Sequence, residues 1–450
     1  MADRLPEIDR YLEANVERWL GELADLCRVP SVSARHEGIE DCAQLVREVL
    51  ARRGFEAEVV PSDGHPVVLA RGGSAPPVML LYNHYDVQPP EPLGLWTSPP
   101  FELTQREDRV YARGAKDDKG ELVARLAAID ALQSLLGRLP CTVTWLVEGE
   151  EEVGSPNLPA FCERHAERLR CDGSIWEEGG IDAEGRPLVT LGVRGLLYVE
   201  LRVRSSARDG HSGEANLVPN AAWRLIWALA TLKDQNERVL IPGFYERVPP
   251  VSERQREMLE RLPDEEASIR ASYGLDRLLL DRHGADVRGA RFEPTCNVAG
   301  ITGGYQGAGA KTVIPASASA KVDFRLLPGQ DPLEILALLN SHLERQGFGE
   351  VEVELIGGER AALVDPDSPL VRLAVETGQE VYGKPALLVP MSGGTTPMYL
   401  VTEQGVPVVA PGVGYGSSNR AHSPDESIRV RDLVDAARHI ARLLIRFGEL

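Results

Sequence analysis

A chain of 450 residues exceeds what one ordinary hydrophobic core accommodates, so two domains are expected. Its net charge of -19, with no basic tract, argues against nucleic acid and anionic membrane surfaces as partners. The chain starts polar and amphipathic, no spanning run follows, and the six cysteines (Cys27, Cys42, Cys141, Cys162, Cys171, Cys296) form no C-x-x-C pair; a cytoplasmic protein without thiolate-bound zinc is expected.

Apolar residues recur at helical spacing over 5–27 and 42–53, and the runs 67–70 and 78–82 read as strands. A helical stripe of Leu122, Leu126, Ile129, Leu132 and Leu136 stops at Gly137, and strands follow at 141–147 and 173–176. This alternation predicts an α/β sheet. Near Gly192 the pattern changes, because Leu197, Val199, Leu201 and Val203 alternate with Tyr198, Glu200, Arg202 and Arg204 as in a half-exposed antiparallel strand. A helix at 220–232 follows, then a charged stretch to about Pro294 with intermittent periodicity. Alternation at 318–324, a helix at 332–346 and alternation at 351–355 complete a β-α-β-α-β series, the pattern of a small α+β domain. Elements of the first type resume at 369–382 and 406–410, and a helix over 430–447 closes the chain. The expected organisation is a domain in two parts, 1–191 and 359–450, with a second domain, 192–358, inserted between them.

The chemistry is concentrated at predicted strand ends. Glu148-Gly149-Glu150-Glu151-Glu152-Val153-Gly154-Ser155 places carboxylates directly after the apolar run 141–147, and ligands of open α/β sheets sit outside the carboxyl ends of strands. His84 and Asp86 follow the strand 78–82, and their two-residue spacing points both side chains the same way, one suited to a metal and the other to orienting it. Gly114-Ala115-Lys116-Asp117-Asp118-Lys119-Gly120 sets two acids in a tight turn before a helix, to serve metals or to cap the helix. Trp176-Glu177-Glu178-Gly179-Gly180 again puts acids at a strand end, and His211 and His422 lie in turns. Each feature alone also reads as a solvated loop. Their recurrence at strand ends of one sheet points to a metal site.

The ordered series Y-N-H-Y-D-V-Q-P, R-G-A-K-D-D-K-G, E-G-E-E-E-V-G-S, D-G-H-S-G, G-G-T-T-P and N-R-A-H-S-P-D-E resembles the co-catalytic zinc peptidases typified by carnosinase, a family that includes carboxypeptidase G, aminoacylase and succinyl-diaminopimelate desuccinylase. The resemblance runs from about residue 10 to 447, and the long interval between Leu232 and Pro294 is similar to the carnosinase-like dipeptidase branch. It implies a mixed-sheet α/β/α catalytic domain with an inserted α+β, ferredoxin-like lid and dimerisation domain. It also implies two divalent metal ions per subunit, zinc with manganese or cobalt as alternatives. His84 would hold one ion, Asp117 would bridge both through a turn with a cis Asp117–Asp118 bond, and Glu152 and His422 would hold the second. Glu177 would complete the first ion's shell, with Glu178 as the alternative, and Asp86 would orient His84. Glu151 would be the general base. His211 would reach the partner's site across a homodimer to stabilise the oxyanion, and Arg325, Thr312 and Thr395 would grip substrate.

The implied activity is hydrolysis of short peptides, a dipeptidase above all, by a metal-activated water whose proton Glu151 takes and later gives to the departing amine. A deacylase or desuccinylase of N-acyl amino acids would use the same centre. A catalytically silent metal- or peptide-binding protein would have no need of Glu151.

Overall fold

The computed structural model describes residues 4–177, 179–416 and 418–450. Two compact units are present, one made of Met1–Leu191, Val364–Pro390 and Leu400–Leu450, the other of Gly192–Leu363 and Met391–Tyr399.

The first unit is built on a six-stranded sheet in the order Glu56–Val60, Val67–Gly72, Thr142–Glu148, Val78–His84, Gly173–Ile175, Val408–Val409. The first two pairings are antiparallel and the remaining three parallel. Thr142–Glu148 is buried along its whole length, as a strand covered on both faces must be, which is why its sequence reads as a continuous apolar run. Its register with Val78–His84 ends on the pair His84 and Glu148, so the two strands deliver their carboxyl ends at one level. The helix Lys119–Leu136 is buried over residues 119–132 and packs against the closing helix Val430–Phe447.

The predicted helix over 5–27 is two helices, Leu5–Ala14 and Val16–Arg28. Asn15 separates them: its backbone leaves helical geometry at φ -114 and ψ 17, and its side chain donates to the Tyr11 carbonyl. Asparagine competes locally for backbone groups in this way, a signal that apolar periodicity does not carry.

The second unit contains a four-stranded antiparallel sheet in the order Thr295–Gly303, Ser317–Leu326, Gly195–Arg204, Glu352–Glu359. Leu197, Val199, Leu201 and Val203 interleave with Ala318, Ala320, Val322 and Phe324 on one face. The helices Ala221–Ala230 and Pro332–Arg345 cover that face through Leu225, Ala228, Ile335 and Leu339. In chain order this is β-α-β-β-α-β, ferredoxin-like, with one strand more than the predicted series. The additional strand, Thr295–Gly303, is an edge strand with most residues exposed, so it lacks the in-out alternation that marks its neighbours.

Candidate metal centre

Five chain segments of the first unit converge at the carboxyl ends of its parallel strands. His84 is the last residue of Val78–His84. Glu151 and Glu152 open a short 3-10 turn directly after Thr142–Glu148. The turn approaches the neighbouring loop so closely that a Cβ on Gly149 would lie 2.2 Å from the Tyr85 hydroxyl, so only glycine fits. Asp117 and Asp118, joined by the expected cis bond, precede the helix Lys119–Leu136, and Glu177 follows Gly173–Ile175. His422 sits in the loop before Ser427–Arg429 at φ 60. Glu178 lies outside the described residues.

The Asp117 carboxylate stands between the two imidazoles, with Oδ1 2.9 Å from His84 Nε2 and Oδ2 2.9 Å from His422 Nε2. Glu177 Oε2 is 3.6 Å from His84 Nε2, and Glu152 Oε2 is 3.2 Å from His422 Nε2. Nitrogen and carboxylate oxygens therefore gather in two groups that share Asp117. By mutual closeness of donor atoms alone, His84, Asp118 and Glu177 form one set and Asp117, Glu152 and His422 the other. Asp118 Oδ2, however, accepts from Asn83 Nδ2 at 2.5 Å and from the His84 N–H at 3.1 Å, an anchoring role. Neither Asp117 nor Asp118 caps the following helix: Asp118 is its N-cap residue and makes no side-chain capping bond, while Asp117 faces the histidines.

The electrostatics show what these groups fit. Burial drives the Glu151 carboxyl well above the usual carboxylate range and nearby Glu177 adds to the rise, while His84 opposes it. Burial also raises Glu152, and lifts Asp118 to about 7. Burial would lower His84, but hydrogen bonds to Asp117 and Asp86 overcome it and raise the imidazole well above its ordinary value. His422 is pushed up to about 10 by its bonds to Asp117 and Glu152. Asp117, despite burial, is held well below its usual range by the same two histidines. A cluster that holds protons on imidazoles to balance its carboxylates is one that divalent cations would neutralise. Imidazole with carboxylate is a donor set for zinc, manganese or cobalt.

The surrounding residues hold the ligand-bearing turns. Asp86 places its backbone carbonyl 3.0 Å and its carboxylate 3.4 Å from His84 Nδ1. The same carboxylate accepts from the N–H of Glu151 at 3.3 Å and of Glu152 at 3.1 Å, which ties the 151–152 turn to the His84 strand. Gln88 donates to Glu152 through its backbone N–H at 3.1 Å and through Nε2 at 2.9 Å. Glu426, fully buried, accepts from Arg113 Nη1 at 2.6 Å and from the N–H groups of Gly114, Lys116 and Asp117 at 3.2, 2.8 and 3.0 Å. One carboxylate thus fastens the Asp117 turn to the loop that carries His422. Gln88 and Glu426 were missed by sequence reasoning, although both stand inside the quoted motifs, where polar residues next to ligands were their only signal.

The other four candidate residues belong to the second unit and fall in two pairs. The strand Gly210–His211 pairs with Val313–Ile314, opposing His211 to Val313 and so bringing Thr312 close to it. His211 is exposed, and its Nδ1 accepts from the Gly213 N–H at 3.0 Å. Arg325 Nη1 donates to Thr395 Oγ1 at 2.6 Å.

Residues 80–446 match the sequence profile of peptidase family M20/M25/M40. Over 402 residues the chain is 29% identical to the Cys-Gly metallodipeptidase DUG1 of Candida albicans, covering 85% of this chain and 82% of that protein. Over 399 residues it is 26% identical to the Beta-Ala-His dipeptidase of Rattus norvegicus, covering 86% and 80%. Among solved structures, the M20 family metallo-carboxypeptidase Sso-CP2 from Sulfolobus solfataricus aligns with a TM-score of 0.92 and 39% identity over 96% of this chain and 99% of that one. With the two His-carboxylate groups around Asp117 in view, the match over residues 80–446 establishes that the chain belongs to peptidase family M20/M25/M40.

Proposed function

We propose that the protein is a dinuclear-metal dipeptidase that uses zinc and works as a homodimer in the cytoplasm. The observation that carries the reading is the Asp117 carboxylate shared between His84 and His422, each with a further carboxylate beside it, and the Glu151 carboxyl next to them. His84, Asp117 and Glu177 would hold one ion and Asp117, Glu152 and His422 the other. The ions, when bound, supply a Lewis acid for the scissile carbonyl and acidify the attacking water. Glu151 takes the proton of that water and returns it to the departing amine, one group serving as base and then acid. Asp86 keeps Glu151 in place through its peptide N–H. Arg325, backed by Thr395, is suited to a substrate carboxylate because a guanidinium binds one in bidentate fashion. The dipeptidase names of two relatives support a short peptide as substrate. Six free cysteines suit a reducing compartment.

A homodimer is supported by the second unit's surface. The edge strand Thr295–Gly303 exposes Val298 and Ile301, and the helix Ala221–Ala230 exposes Trp223, Ile226 and Trp227. An unpaired edge with adjoining apolar side chains is a self-pairing surface. Exposed His211 would then act on the partner's substrate, where an oxyanion donor is worth a few kcal/mol.

Three outcomes are expected. Dipeptides with a free terminal carboxylate should exceed N-acetyl and N-succinyl amino acids in kcat/KM by about tenfold or more, and the reverse order would assign a deacylase. Glu151→Gln should lower kcat by about 10²–10⁴ while metal analysis still finds two ions per chain; retained turnover would remove Glu151 from the reaction. Mixed dimers of inactive His211→Ala and inactive Glu151→Gln chains should regain part of the activity, whereas a fully active monomer on dilution would exclude sites completed in trans.

A further inference from the structure

We infer that Arg125 is a positioning residue that sets the His84–Glu177 half of the centre independently of the other half. The inference rests on the two-metal reading above. Arg125 lies in the helix Lys119–Leu136 and is fully buried. The ladder between the parallel strands Val78–His84 and Gly173–Ile175 runs to the pair Leu81 and Ile175. Beyond that pair the guanidinium joins the two chains. Nη1 donates to the Tyr82 carbonyl and, at 2.7 Å, to Asn83 Oδ1, while Nη2 donates to the Trp176 carbonyl at 2.6 Å. Each accepting residue stands one or two places before a ligand: Tyr82 and Asn83 before His84, Trp176 before Glu177.

The fork has a second consequence. With Oδ1 committed to Arg125 and to Trp145 Nε1, the Asn83 amide is oriented so that Nδ2 donates to Asp118 Oδ2, the atom that also accepts from the His84 N–H. Tyr82 and Trp176 stack face to face at 3.9 Å, so the two chains are also packed where Arg125 bonds them. The charge is balanced by Glu121, whose Oε2 lies 3.8 Å from Nη2 and whose Oε1 accepts from Lys116 at 2.7 Å. A planar guanidinium meets acceptors on two chains at fixed angles, and a lysine ammonium on the same helix does not reproduce that fork. Glu152 is held by Gln88 and Asp86 and His422 by Asp117, whereas the hydrogen bonds of Arg125 go to Tyr82, Asn83 and Trp176, all on the His84–Glu177 side.

The test is a calorimetric Zn2+ titration of the metal-free full-length protein, with Glu177→Ala and Glu152→Gln marking which binding step belongs to which half. Arg125→Lys is expected to weaken the step that Glu177→Ala removes by about 10- to 100-fold and to leave the Glu152 step within about twofold. Asn83→Ser, which removes one acceptor of the fork and keeps both carbonyls, should shift the same step in the same direction by a smaller factor, so the inference remains testable should Arg125→Lys fail to fold. Equal weakening of both steps, or of neither, in whichever variant folds would overturn the inference and reduce Arg125 to a general stabiliser. Absence of two binding steps in the unsubstituted protein would instead overturn the two-metal reading.

Discussion

The Asp117 carboxylate, fixed between His84 and His422, is the contact on which the rest of the site depends. It shares one anion between two imidazoles delivered by chain segments more than three hundred residues apart, and it does so among further buried acids. Bringing Asp118, Glu151, Glu152 and Glu177 to one place opposes the ordinary preference of carboxylates for water, and the raised proton affinities of Glu151, Glu152 and Asp118 express that opposition. A site that concentrates negative charge at such cost is organised for cations.

Neutral donors hold much of the acid cluster in place: backbone N–H groups, with the side-chain amides of Gln88 on Glu152 and of Asn83 on Asp118. Glu426 collects N–H groups of the Asp117 turn, and Asp86 collects those of Glu151 and Glu152. In each case a buried carboxylate outside the donor groups accepts from peptide N–H groups, Glu426 from Arg113 as well, and fixes a neighbouring turn, much as partners behind the ligands orient metal sites in general. The aligned ends of Val78–His84 and Thr142–Glu148 provide the rigid base from which these turns project.

Much of this was legible in the sequence because the fold places chemistry at strand ends, where a buried apolar run stops abruptly at charged residues. His84, Asp117, Glu151, Glu152, Glu177 and His422 could be picked out on that ground together with the order of the motifs, and all six lie in the first unit. What escaped is as informative. Asn15 breaks a helix through a local side-chain bond, and Thr295–Gly303 forms a strand without an inward face, so neither leaves a periodic trace. Glu426 and Gln88 act through geometry that only folding creates. Arg125 is the extreme case: it stands between Leu122 and Ile129 on the helix's apolar stripe and is fully buried, but a charge there drew no notice without the acceptors that folding brings to it.

The central claim is that Asp117 is shared by two metal ions. The most direct measurement is a crystal structure of the zinc-loaded protein with anomalous data collected on either side of the zinc edge. The account predicts two anomalous peaks, one flanked by His84, Asp117 and Glu177 and the other by Asp117, Glu152 and His422. A single peak, or ions bound away from Asp117, would contradict it.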